Sequence, residues 1–504
     1  MKRGRWLVPL VVMVLVIAGG VLIASLRSGT RVPTTRSVED RSDNPLTVGN
    51  EQPAAGAGGG PSKTGDPAPG DNAAGSLTLT LQQGVSDREI VVLFPVSPGG
   101  CDPDSPADSA DAEAIGAAMD YFNREGASLY VRPDNPDGFH GRRLRAVQVP
   151  DHGDNGECGR RSREEAVRAM SAHKPFAVVG GGAVWDEVAP DAKVLKMTQE
   201  IAEDRYYRSR RPYLWGTVTS GSFLARFTSG YVSKHLRNVN SRDTGDPATS
   251  DLERRFAVVF AADPVSSPVA QDLRKRLRDK GIRVDGRSFA GYDPAPEARA
   301  EAIRQIVSNL KQDKVTSVLL LADRHAVREL AAAADDAQWR PEWVTTSVGF
   351  MDDPAAPRSL MSPGQAANAF GVSTFRPSRE VADERSEAGR AWRKVRTGDP
   401  PAAFHRWYSQ VRILALGIAG AGQQLSPQSF EKSLSGCSPC PRSNRRDPLV
   451  RFGPGDFTAV DDGHRQRFDP KRPDRSAPRS AWTAARPPAG AYVYEDDGKR
   501  VRAF

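Results

Sequence analysis

Four short stretches carry the side chains best suited to chemistry, and each follows an apolar run. Gly180, Gly181 and Gly182 end "FAVVGGG", and Ala183 to Asp186 follow, with Trp185 among them. Asp263 ends "FAVVFAAD". Asp323, Arg324 and His325 end "VLLLADRH", and Thr346 and Ser347 end "WVTTS". Glycines at a strand end let backbone N–H groups approach a ligand, and a helix starting there offers free N–H groups to negative charge. Carboxylates, hydroxyls, a guanidinium and an indole add reversible contacts. This is chemistry for holding a small molecule. Signatures of bond-breaking sites are absent: there is no Gly-x-x-x-x-Gly-Lys-Ser/Thr, no Gly-x-Ser-x-Gly and no His-Glu-x-x-His. The run Asp151–Cys158, "DHGDNGEC", reads as a Gly-rich turn after a strand rather than a metal centre. "CDPDSPADSADAE" lacks the Gly and spacing of a calcium loop. No catalytic residue, cofactor or metal is expected, and the chain is not read as an enzyme.

The surrounding pattern says what must position these residues. "EIVVLF" reads as a buried strand, "ADAEAIGAAMDYFNREG" as a helix with Ile115, Met119 and Phe122 on one face, and "RRLRAVQVPD" as a second strand. A helix over "RSREEAVRAMSAHK", the strand "FAVVGGG", a strand over "KVLKMT" and a helix with Phe223, Phe227 and Tyr231 complete a first series. The polar loop Asn238–Glu253 reads as a crossing. The pattern then restarts at Phe256 with the same four residues, Phe-Ala-Val-Val. Strands over "RRFAVVFAAD", "IRVDGRSF", "VTSVLLLAD" and "PEWVTTS" alternate with helices. Apolar strands alternating with helices predict parallel sheets covered on both faces. The fold class expected is α/β, with two Rossmann-like lobes joined by a hinge. Ligands of such sheets lie beyond the carboxyl ends of the strands. Two facing lobes would therefore share one cleft.

Several stretches resemble type I periplasmic binding proteins, the branched-chain amino acid (Leu/Ile/Val) receptors of ABC importers. They are "AAMDYFNREG", "FAVVGGG", "RRFAVVFAADPVSSPVAQDLRKRLRDKGIRV", "IRQIVSNLKQDKVTSVLLLADRHAVRELAAAADD", "WYSQVRILALGIAGAGQQLSPQSFEKSL", "GPGDFTAVDDG" and "GAYVYEDDGKRVRAF". The likeness spans about Glu89 to Phe504 and lies in order and pattern. It implies an extracytoplasmic protein that captures a small polar ligand, an amino acid or a relative, for an ABC permease. It also implies that hydroxyls and backbone amides hold the ligand's carboxylate while a lobe-two acid holds its amine. The ligand-binding set expected is Gly181, Gly182, Ala183, Trp185, Asp263, Asp323, Arg324, Thr346 and Ser347. Two departures leave an anionic or aromatic ligand open. Gly182-Ala183-Val184 stands where Ser or Thr would be expected, and Arg324 adjoins Asp323. The other readings are a sensor or scaffold of the same fold without transport, and an extracellular hydrolase on another α/β fold.

The N-terminus carries Lys2, Arg3 and Arg5, then no charge from Trp6 to Leu26. As a helix that run spans roughly 30 Å, the thickness of a bilayer core. Residues 1–5 are read as a cytoplasmic stub, 6–26 as a transmembrane signal anchor and 27–86 as a flexible, disordered linker rich in Gly, Ala and Pro. The rival reading is a cleaved signal peptide, against which the run is longer than a usual signal core and no clear Ala-x-Ala site follows it. Lobe 1 is assigned to 87–238 and 352–436, and lobe 2 to 253–350. The segment 437–504 is expected to close on lobe 2. The body then lies on the extracytoplasmic side of the cell membrane, single-pass. Four cysteines suit that oxidising side as two local disulfides, Cys101–Cys158 and Cys437–Cys440. The formal net charge of +8 is scattered and matches no nucleic-acid motif, so no nucleic-acid partner is expected.

Overall fold

The computed structural model describes residues 82–99, 109–126, 139–374, 386–437, 440, 448–475, 477, 483–484, 486–495 and 499–504. The expected span Trp6–Leu26 lies outside them. Among the described residues no helix is long and apolar enough to cross a membrane.

Two sheets organise the body. The first runs in the order β11 (Thr458–Val460), β5 (Leu214–Thr219), β4 (Leu195–Thr198), β3 (Ala177–Val179), β1 (Glu89–Val96) and β2 (Arg143–Pro150). Its paired strands are all parallel. The second runs β13 (Ala489–Tyr494), β12 (His464–Pro473), β10 (Ala369–Ser373), β9 (Glu342–Thr345), β8 (Ser317–Leu321), β6 (Phe256–Ala261) and β7 (Phe289–Tyr292). It is parallel except for β12, which runs antiparallel to β10 and β13. The central strands are buried along their whole length, as strands covered on both faces must be.

Helices supply the covers. On the first sheet, α1 (Ser109–Tyr121) shares a core with Phe94, Val179 and Trp215, while α2 (Gly156–His173) and α3 (Ala183–Asp191) close the other face over Leu93 and Val178. On the second sheet, α4 (Gly221–Tyr231) and α5 (Ser266–Asp279) pack on one face, and α6 (Pro296–Gln312) and α7 (Arg324–Asp336) on the other. The later helices α8 (Glu387–Val395), α9 (Ala402–Ala421) and α10 (Pro427–Ser435) return to the first core through Trp392, Leu414 and Phe430. The start of α10 is fixed by Ser426, whose hydroxyl accepts from Ser429 N while the Ser429 side chain accepts from Ser426 N, with Pro427 in the first turn.

The chain passes between the sheets three times: after β5, after β10 and after β11. This shifts several expected boundaries. The first crossing lies at Ser220, not in the loop Asn238–Glu253. Phe223, Phe227 and Tyr231 bury against β6, β8 and β10, so α4 belongs to the second lobe. The second lobe also runs past residue 350, because β10 pairs with β9. The C-terminal segment divides, with β11 joining the first sheet and β12 and β13 the second. The body begins before residue 87: Val85 is buried and bridges Ile90, and Val91 N donates to Gly84 O. Within "IRVDGRSF" only Phe289 is strand, because the chain first makes a short helical turn over Gly286–Ser288.

Cys437 and Cys440 form a disulfide. Cys158 is also disulfide-bonded, and its expected partner Cys101 lies outside the described residues.

Candidate functional site

The carboxyl ends of both sheets open onto a cavity of about 890 Å³. From the first sheet come Gly180 to Ala183 after β3, Asp154 after β2, and Glu200 after β4. From the second come Asp263 after β6, Asp323 after β8 and Ser347 after β9. Of the expected residues, Gly181, Gly182, Ala183, Asp263, Asp323 and Ser347 line this space.

Trp185, Arg324 and Thr346 do not. Trp185 is fully buried in the core between β1, β3 and α2, because it lies on the face of α3 that packs the sheet. Thr346 is buried, and its hydroxyl donates to Leu320 O at 2.8 Å. Arg324 reaches along the outside of lobe two to Ser359 Oγ at 3.3 Å.

Several lining side chains are committed to the scaffold. Asp263 accepts from Val265 N and Ser266 N, and Asp323 accepts from His325 N and Ala326 N while Tyr292 donates to its second oxygen at 2.6 Å. Each carboxylate thus sits at a helix start, where the dipole favours it. The Ser347 hydroxyl donates to Asp352 at 2.6 Å.

The glycine turn is required by geometry. Gly180 and Gly181 have φ of 82° and 76°. A Cβ on Gly180 would stand 2.6 Å from Trp407 Cη2. Gly180→Ala is expected to cost about 2–3 kcal/mol, since left-handed strain and overpacking add. Urea unfolding measures this, and an Ala variant within about 0.5 kcal/mol of the parent would contradict it.

The strand-end rule also reaches residues that the sequence reading passed over. Asp154 lies within the stretch read as a simple turn. Its carboxylate accepts from Val184 N at 3.0 Å, so it occupies the N-terminus of α3. The crowded crevice pushes this carboxyl up to about 6 although the side chain keeps an open face to water; the N–H groups of Val184 and Ala183 oppose the shift. Glu200 was equally unmarked. It is half-buried, and desolvation, then the charges of Asp154 and Asp186, push its carboxyl up to about 8 against the pull of Lys196. Beneath the turn, Lys196 and Asp186 form a fully buried ion pair at 2.7 Å, and Lys196 Nζ also donates to Gly181 O at 3.2 Å. Tyr206, another lining residue, donates its hydroxyl to Asp186 at 3.1 Å.

The arrangement can enclose a small molecule between carboxylates, backbone groups and aromatic faces. Among the described residues there is no cluster of His, Cys, Asp or Glu able to hold a metal ion. Solved structures share this architecture. A fatty acid ABC transporter substrate-binding protein from Thermomonospora curvata aligns over 84% of this chain and 97% of its own, at 14% identity and a TM-score of 0.57. A solute-binding protein of an ABC transporter from Rhodopseudomonas palustris, in complex with 3,4-dihydroxybenzoic acid, aligns over 83% and 98%, at 11% identity and a TM-score of 0.57. A leucine-binding protein from Thermotoga maritima aligns over 82% and 99%, at 12% identity and a TM-score of 0.55. These identities establish a common fold. No curated protein matches the chain significantly. The profile of the periplasmic binding proteins matches residues 99–464, well over half of the sequence, and the chain therefore belongs to the periplasmic binding protein family.

Proposed function

We propose that this protein captures a small polar solute between its two lobes and delivers it to an ABC importer. The observation that carries this reading is the shared cleft: the carboxyl ends of the parallel strands of both sheets meet across three interlobe crossings. A molecule bridging both rims binds the closed arrangement better than the open one, and that difference draws the lobes together. The closed surface is then a signal a permease can read. The run Trp6–Leu26 would hold the body at the outer face of the membrane, with the Gly-, Ala- and Pro-rich stretch that follows it as a tether. Branched-chain amino acids are the less favoured cargo, since a carboxylate of the chain itself occupies the helix start where theirs would sit.

The test is a thermal-shift screen of the full chain in detergent against amino acids, amides, aromatic acids, amines and neutral polyols. A solute at a hundredfold excess over its Kd is expected to add about 2.7 kcal/mol of stability, a rise of several degrees. A screen in which no class raises the melting temperature would contradict the proposal.

A further inference from the structure

The cleft's unbalanced charge specifies its ligand further, given the solute-capture reading above. Three of the four arginines lining the cavity already have carboxylate partners. Arg163 is paired with Glu187, Arg299 with Glu329 at 2.9 Å, and Arg406 with Asp111 at 2.7 Å. The fourth, Arg210, donates to Tyr206 O and lies over the Tyr206 ring. Against it stand Asp151, Asp154, Glu200, Asp263 and Asp323, all on the cavity wall. Four of these are anchored by backbone or hydroxyl donors. The Glu200 carboxylate has no hydrogen bond or ion pair among the described residues, although its own N–H and C=O are both used.

The lobe-one helix start at the glycine turn is filled. Asp154 occupies it so closely that a Cβ on Gly182 would stand 1.9 Å from Asp154 Oδ2. A second anion there would meet a carboxylate instead of free N–H groups, and like charges at that separation repel strongly. A cation meets the reverse. It finds Glu200 unpaired, with Asp154, Asp263 and Asp323 on the same cavity wall.

We propose that the cleft takes a small organic cation, an amine or guanidine without a free carboxylate, with Glu200 as its principal counter-charge and Asp154 standing in for the ligand carboxylate. Binding carries a proton signature. Burial, then the charges of Asp154, Asp186 and Asp263, hold Glu200 protonated near neutral pH, and Lys196 opposes them. An arriving cation ionises Glu200 and releases its proton near pH 7. Affinity therefore rises as pH increases through about 8.

The test uses titration calorimetry on the full chain in detergent. The probes are agmatine, putrescine, spermidine and choline, set against L-leucine and 4-hydroxybenzoate. The expected result is binding by at least one cation, with proton release at pH 7, a tenfold or greater loss between 50 and 500 mM salt, and none by either carboxylate. Glu200→Gln, close in shape, is expected to weaken the cation tenfold or more. Asp154→Ala is expected to weaken it too and to admit 4-hydroxybenzoate at the vacated helix start. Binding of a carboxylate but no cation to the parent overturns the cation assignment and leaves solute capture intact. Binding of neither class also overturns it, and the neutral arm of the wider screen then decides whether solute capture falls as well. A cation that binds equally well to Glu200→Gln, or takes up protons at pH 7, overturns the assigned role of Glu200.

Discussion

Lys196→Met is expected to cost about 3–5 kcal/mol, because it strands a buried carboxylate. Lys196 and Asp186 are both fully buried, with Nζ and Oδ1 2.7 Å apart. The methionine fills the space of the lysine stem but leaves the buried Asp186 with only the Tyr206 and Thr198 hydroxyls and no cation. It also removes the donor to Gly181 O, so the glycine turn that walls the cleft loses its support from below. Adding Asp186→Leu removes the stranded charge, and the double variant is expected to regain most of the loss. Urea denaturation reads all three. A single variant within 1 kcal/mol of the parent (roughly the median effect of a point change) would show that the pair is not structural.

Arg500→Ala is expected to lose a similar amount, about 3–5 kcal/mol. Arg500 comes from the last residues of the chain, and its side chain is 4% exposed. It donates to Thr374 O at 2.9 Å and to Asp462 O and Oδ1, both at 2.8 Å. Thr374 follows β10 and Asp462 follows β11, so one guanidinium ties two of the three crossings together. Removing it leaves Asp462 nearly buried and short of its cation. Hydrogen exchange should quicken at 370–374 and 461–464 before it quickens in the sheet centres. Arg500→Lys keeps the charge but has a single nitrogen, so it cannot both replace Nη2, which serves all three oxygens, and keep the Nη1 contact to His464 Nδ1 at 3.2 Å; it should fall between the two. Unchanged exchange at both crossings in Arg500→Ala would rule out this tying role.

Much of the fold follows from periodicity. β6 and β8 are continuous apolar runs ended by a polar residue, and the helices between them show one inward stripe, as in Ile303, Ile306 and Leu310 of α6. Elements that escaped notice lack such a signature. β12, "HRQRFDPKRP", is charged along its length, because Arg465 and Arg467 pair across the sheet edge with Glu495. β5, "LWGTVT", contains a glycine, and a Cβ there would stand 2.9 Å from Thr458 of β11. Neither feature has a local pattern; both depend on partners more than 20 residues away.

The site divides along the same line. Strand ends pointed to Gly181, Asp263 and Asp323, which do reach the cavity. Trp185 and Thr346 lie beside them in sequence yet turn the other way, and no pattern within a single turn distinguishes the two directions. Asp154 was hidden for a different reason. Its role appears only when the loop after β2 is folded back onto the start of α3, 30 residues on.

Closure of the lobes on a bound solute is the central claim, and a distance across the cleft tests it most directly. Among the described residues no cysteine is free, so spin labels can be placed by Asn155→Cys on lobe one and Glu297→Cys on lobe two, both exposed, the first on the cavity wall and the second between the lining residues Pro294 and Arg299. Electron double resonance on the full chain, with and without the solute found by the screen, reads their separation. The account predicts a distribution that shifts to shorter distance and narrows when the solute is added. An unchanged distribution at saturating solute would contradict it.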